Sequence, residues 1–201
     1  MISGLRVAPA GADRFDDVVT MLNPRGRPQA CWCLHWRQPR GLPADGRRDH
    51  LHDLTGRTPA PGLLAHLPDP GRGDETVVGW VGLAPVSASS SLQHSRVLPR
   101  VDPAERPTTW AVMCFVVRPG YRRRGVARAL LAASVDYARD HGAHAVQGFP
   151  VEPEQGRRVP VGAAFVGTVG LFESVGFDRV GDTSATSGRL PRWVMRRELL
   201  P

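Results

Sequence analysis

At 201 residues and 41% hydrophobic content, the chain suffices for one cored domain over 1–201 and requires no second. Its formal net charge of +7 comes wholly from arginine, with 26 basic residues and no lysine, a balance that favours anionic partners. No apolar run reaches the ~18–20 residues of a membrane span, and MISGLRVAPAG lacks a signal-peptide core. No membrane partner and a cytoplasmic location are therefore expected, and three cysteines in such a chain argue against a disulfide framework.

Leu5-Arg6-Val7 starts a strand, and Asp13 caps a predicted helix through Phe15, Val18, Val19 and Leu22 that Asn23-Pro24 ends. A Pro/Gly/Arg loop then delivers Cys31-Trp32-Cys33-Leu34-His35-Trp36-Arg37. Residues 44–56 read as a polar helix with Leu51 and Leu54 on one side. Two apolar strands, 62–67 and 76–84, are joined by the turn-rich residues 68–73, as in a hairpin. Residues 85–108 lack clear periodicity and predict a long surface excursion with a short helix near Leu92.

Trp110 to Val117 is apolar and rich in Val, Phe and Trp, as a strand buried on both faces should be. Arg118-Pro119-Gly120 stops it, because Pro offers no N–H and Gly permits the turn. From Gly125 the apolar positions Val126, Ala127, Leu130, Leu131, Val135 and Ala138 recur at helical spacing, up to Gly142. A strand at 143–149, a polar loop at 152–160, a helix over 162–175 and a hairpin of strands near 178–183 and 192–199 complete the reading. The turn Arg122-Arg123-Arg124-Gly125-Val126-Ala127 combines a helix N-terminus, a glycine that admits close approach, and three cations. It is an anion cradle suited to a pyrophosphate.

Val117-x-Pro119-x-Tyr121-Arg122-x-x-Gly125-x-Ala127, followed by Leu130-Leu131, resembles the acetyl-CoA signature of the GCN5-related N-acetyltransferase (GNAT) superfamily. The likeness is strong over about 110–180, the cofactor core, and rests on element order alone over the acceptor-side part, about 1–108. It implies an α+β (α/β three-layer) fold: a mixed, splayed β-sheet of six to seven strands flanked by helices. It also implies direct transfer of an acetyl group from acetyl-CoA to a primary amine of a small molecule or peptide. The cofactor would be held by Phe115, Val116 and Val117 along its pantetheine arm and by Arg122, Arg123, Arg124, Gly125, Val126, Ala127 and Arg128. An amine acceptor is the second partner, and a homodimer is compatible with the family.

Two family side chains are absent. The position of the tyrosine acid is Phe172, and Ala111 stands where histone-acetyltransferase-like members carry a glutamate base. Glu152, beyond the strand that should splay from the central one, and His35, with an ordinary pKa near 6.5, are the candidate bases. Trp32, Trp36 and Trp80 are candidate acceptor walls. Cys31-x-Cys33 with His35 has zinc-type donors but lacks a second ligand pair, so no metal is assigned, and Cys114 reads as a small buried hydrophobe. An acyl-CoA-binding regulator without catalysis stays open as an alternative, as does a basic nucleic-acid-binding module, which the scattered arginines and the lack of aromatic-interleaved basic motifs disfavour.

Overall fold

The computed structural model describes residues 2–69, 71, 75–153, 159–160 and 162–199. Its strands are β1 (Arg6–Pro9), β2 (Gly62–Pro68), β3 (Glu75–Pro85), β4 (Thr109–Val117), β5 (Ala145–Gly148), β6 (Asp178–Ser187) and β7 (Leu190–Glu198). They form one mixed sheet in the order β1-β2-β3-β4-β5-β7-β6. Only β4 and β5 are parallel, because the 15-residue helix α4 (Val126–Asp140) carries the chain back across the sheet between them. The β2–β3 hairpin forms as expected, with Pro68 opposite Glu75; most of its tip lies outside the described residues.

Period-two alternation distributes the strands' side chains over two faces. On one face α4 lays Val126, Leu130, Leu131 and Val135 against Leu63, Ala65, Val78 and Val81, and full burial of each such side chain stabilises by about 1.5–3 kcal/mol. Gly79 permits this approach, since a Cβ there would sit 2.7 Å from Val126. Helix α5 (Val169–Glu173) adds Val169 and Phe172 to the same face. On the other, α1 (Phe15–Leu22), α2 (Arg47–Thr55) and the segment around Trp32 and Leu34 cover Leu64, Val77 and Trp80. A third cluster lies towards β7 and joins Ala111 and Met113 to Phe149, Ala185 and Val194. The short helix α3 (Ser90–Gln93) is found where Leu92 predicts it.

Three expectations need correction. The helix over 162–175 does not run through: Gly167 takes a φ of +79°, and Thr168 restarts the chain as N-cap of α5, its side chain accepting from the Leu171 N–H. Phe165, assigned to that helix's apolar face, is 42% exposed. Asp13 does not cap α1, which is entered through a 3-10 turn at Ala12–Arg14 with no side-chain cap. Finally, Cys33 and Cys114 form a disulfide across 81 residues of sequence, so Cys114 is no isolated hydrophobe. Sequence spacing cannot reveal such a pair, because packing of the 31–37 segment on β4 creates it.

Candidate active site

The functional geometry begins where β4 and β5 part. They pair from Thr109–Ala145 to Val112–Gly148, and there β5 ends while β4 continues to Val117. On its other side β4 stays paired with β3, but Gly82 faces Cys114 while Leu83 faces Val112, so Met113 is the extra residue of a β-bulge. A bulge bends its strand and strengthens its twist, which opens the gap. Phe115, Val116 and Val117, the residues expected along the cofactor arm, lie on the stretch of β4 beyond its pairing with β5. Phe115 packs edge-on to Phe172, 6.2 Å between ring centres.

The basic turn follows β4. Gly125 is the N-cap of α4 with φ +87° and no side-chain cap, and Arg123 is also left-handed at φ +59°. Among the described residues, no backbone N–H from Arg123 to Arg128 finds an acceptor, and the first backbone bond of α4 is Ala129 N–H to Gly125 carbonyl, 3.0 Å. Arg122 and Arg128 brace the turn: the Arg122 Nε donates to the Val117 carbonyl at 3.0 Å, and Arg128 donates to the Ser174 carbonyl at 3.3 Å. Arg123 and Arg124 are exposed, and Arg124 lies 5.7 Å over the Tyr121 ring. Val126 is buried, Ala127 half-buried. This row of free donors with two uncommitted guanidinium groups fits a pyrophosphate.

Across β4 from α4 lies an apolar cavity of about 190 Å³. Trp32, Trp36, His35 and the Cys33–Cys114 pair form its near wall; Met113 and Val116 form its floor, with Leu22 and Phe165 at its margin. Trp32 and Trp36, two of the three expected acceptor walls, therefore line one cavity. Trp80 does not. It is fully buried in the core beneath α1, and its indole crowds Gly62. His35 sits edge-on to Trp36, 4.5 Å between ring centres, and burial together with the charge of Arg192 lowers its pKa. A larger depression, about 300 Å³ between Asp13, Asp16, Arg48 and His52, lies outside α1, away from the gap.

The other acid–base candidates are engaged elsewhere. Arg179 donates to the Glu152 carboxylate at 2.7 Å and lies 4.0 Å over Trp193. Phe172 is fully buried between Phe115 and Phe177, and its ring fills the space a Cβ on Gly148 would need. The Tyr137 hydroxyl accepts from the Ala60 N–H at 2.7 Å, and burial raises its pKa. Sequence reasoning did not assign Met113 or Phe165 to this cavity, nor single out Arg192, whose charge reaches His35. The alternating pattern of β7 is the one signal that assigns Arg192 to a sheet face.

Residues 29–160 match the sequence model of the acetyltransferase (GNAT) family. Among solved structures, a GCN5-related N-acetyltransferase from Kribbella flavida is 20% identical, with 98% of each chain covered and a TM-score of 0.55. YncA from Salmonella typhimurium, a putative acetyltransferase solved with acetyl-CoA, is 17% identical over 98% of this chain and 94% of its own, also at 0.55. A putative phosphinothricin N-acetyltransferase is 19% identical over 98% of this chain and 99% of its own, at 0.55. These likenesses share the seven-stranded fold. No curated protein sequence matches the chain.

Proposed function

The chain belongs to the acetyltransferase (GNAT) family, and we propose that it moves an acetyl group from acetyl-CoA directly to the amine of a small molecule or peptide. One observation carries the reading: the β4–β5 gap opens beside a helix N-terminus whose N–H groups, from Arg123 to Arg128, lack acceptors among the described residues. Acetyl-CoA would supply the activated thioester. The free N–H row and the guanidinium groups of Arg123 and Arg124 would take its diphosphate, while the backbone of β4 from Met113 to Val117 offers main-chain groups to its amide-bearing arm. The cavity beyond Met113 would then hold the acceptor on the opposite side of the strand from α4.

An ammonium must lose a proton before its nitrogen can form the new C–N bond while the C–S bond breaks. His35 is the imidazole in the cavity's lining, which also holds the free thiol of Cys31, and its lowered pKa keeps it neutral and able to accept that proton at pH 7. Glu152 is a weaker base candidate because Arg179 holds its carboxylate.

Calorimetric titration with acetyl-CoA, with CoA and ATP as controls, followed by thiol-release assays over an amine panel, tests the reading. Saturable binding with thiol release supports it, and no binding overturns it. Binding without release would favour an acyl-CoA-binding regulator, the reading suggested by Phe172 at the family's acid position.

A further inference from the structure

Behind the residues that line the acceptor cavity lies a cation that the mechanism above leaves unused. Arg192 is 7% exposed. Along β7 it shares a face with Val194, which packs with Met113 and Phe149; Trp36, a cavity wall, packs against the same cluster. Trp193 and Met195 point to the opposite, α4-covered face. The Nε of Arg192 donates to the Phe149 carbonyl at 2.7 Å, which fixes the guanidinium near that ring, 5.9 Å from its centre to Cζ. No carboxylate among the described residues pairs with it. Glu152, next to the Val151 that bridges to Arg192, is held by Arg179, which stacks on Trp193 and so lies on the other face. Burial lowers the Arg192 pKa to about 10, so the group stays charged at neutral pH, and its charge reaches His35 at the edge of the cavity.

A buried cation without a counter-ion is costly unless something compensates it. With Nε held by backbone, the two terminal nitrogens remain as a fork that matches a planar carboxylate. We infer that Arg192 anchors a carboxylate on the acceptor, so that the amine substrate is a small amino-acid-like molecule: an apolar body in the cavity walled by Trp32, Trp36 and Met113, and a carboxylate on Arg192. The inference rests on the acetyltransferase reading and narrows its acceptor class. It also explains why an otherwise apolar cleft borders a positive charge, since the anion supplies the orientation that the apolar walls lack.

Binding of an acetylated product separates this claim from catalysis. The full chain, with CoA present and absent, is titrated calorimetrically with N-acetyl-L-phenylalanine and with its carboxamide, two ligands of one shape that differ in charge. The acid should bind about tenfold tighter or more, the worth of one charge-assisted contact. Arg192→Met should erase that difference and Arg192→Lys should keep part of it, both retaining the wild-type affinity for acetyl-CoA. Equal binding of acid and amide by the wild type, failure of the acid to bind, or an acid preference that survives in Arg192→Met would each overturn the inference. Thiol release with phenethylamine, which lacks the carboxylate, tests the transferase reading by itself. Turnover of phenethylamine as fast as phenylalanine would sink the carboxylate anchor and leave the transferase standing, whereas absence of acetyl-CoA binding would sink the transferase reading.

Discussion

At the scale of single residues, His35 and Gly125 make opposite kinds of demand on the chain. His35 acts through its charge state. Because burial and Arg192 lower its pKa, the imidazole is neutral above a value below 6.5 and protonates as pH falls through it. The rate of acetyl transfer should therefore drop on an acidic limb lying below 6.5, and His35→Gln should flatten that limb while lowering kcat; a pH–rate profile of both proteins reads it out. Gly125 acts through its backbone. Its φ of +87° is strained for any other residue, yet a Cβ there meets nothing within 4 Å, so substitution disturbs the turn and not the packing. Gly125→Val should cost roughly 1–2 kcal/mol of local strain and weaken acetyl-CoA binding by about tenfold or more through loss of the aligned N–H row, with the circular dichroism spectrum unchanged. Phe172 differs from both. A hydroxyl added there would enter a fully buried space between Phe115 and Phe177, so Phe172→Tyr should lose about 1–3 kcal/mol in denaturant unfolding.

At the scale of elements, the site depends on how a loop is fastened to a strand. The 31–37 segment has no regular structure, and two of its residues, Trp32 and Cys33, sit at φ +54° and +55°, an arrangement that outside contacts must hold in place. The attachments that do so include the disulfide from Cys33 to Cys114 on β4, the buried Arg37, which donates to the Pro61 carbonyl at 2.8 Å, and the Trp36 carbonyl, which accepts from the Ser91 N–H at 3.1 Å. Burial lowers the Arg37 pKa to about 10, with no carboxylate beside it among the described residues. Cys31, by contrast, is free and exposed. Unfolded without reductant, the protein should therefore titrate one thiol against three when reduced. The double variant Cys33→Ser/Cys114→Ser should lose about 2–4 kcal/mol of stability and bind acceptor less well, because the cavity wall is no longer tied to β4. Three thiols in the unreduced protein would contradict the bond.

At the scale of the molecule, charge and shape act together. All the positive excess is arginine, which keeps its charge in poorly hydrated sites. The exposed guanidinium groups at the turn of α4 should make acetyl-CoA binding salt-dependent, since ionic strength screens exposed charges beyond ~10 Å at 0.1 M. Calorimetric affinity should fall several-fold between about 0.05 and 0.5 M salt, whereas binding of a neutral acceptor in the apolar cavity should scarcely change. The sheet sets this division of labour. Its one parallel pair among the described strands places the charged turn on the α4 side of β4 and the apolar cavity on the other, so in the proposed reaction donor and acceptor would approach the same bulged strand from opposite faces.

The sequence by itself determined the strand–turn–helix unit from Trp110 to Asp140, because its signals are local: an apolar run, a Pro-Gly stop, a left-handed glycine and helical periodicity all lie within one short stretch. It also singled out the two tryptophans of the 31–37 segment, which the fold brings to one cavity. Only the tertiary structure decided the Cys33–Cys114 bond, the burial of Trp80 beneath α1, the pairing of Glu152 with Arg179, the break at Gly167 and the place of Arg192 beside the cleft. Each of these depends on which residues distant in sequence come to share one face of the sheet. A strand's alternation says that its side chains divide between two faces, but the order in which strands pair says which neighbours each face receives.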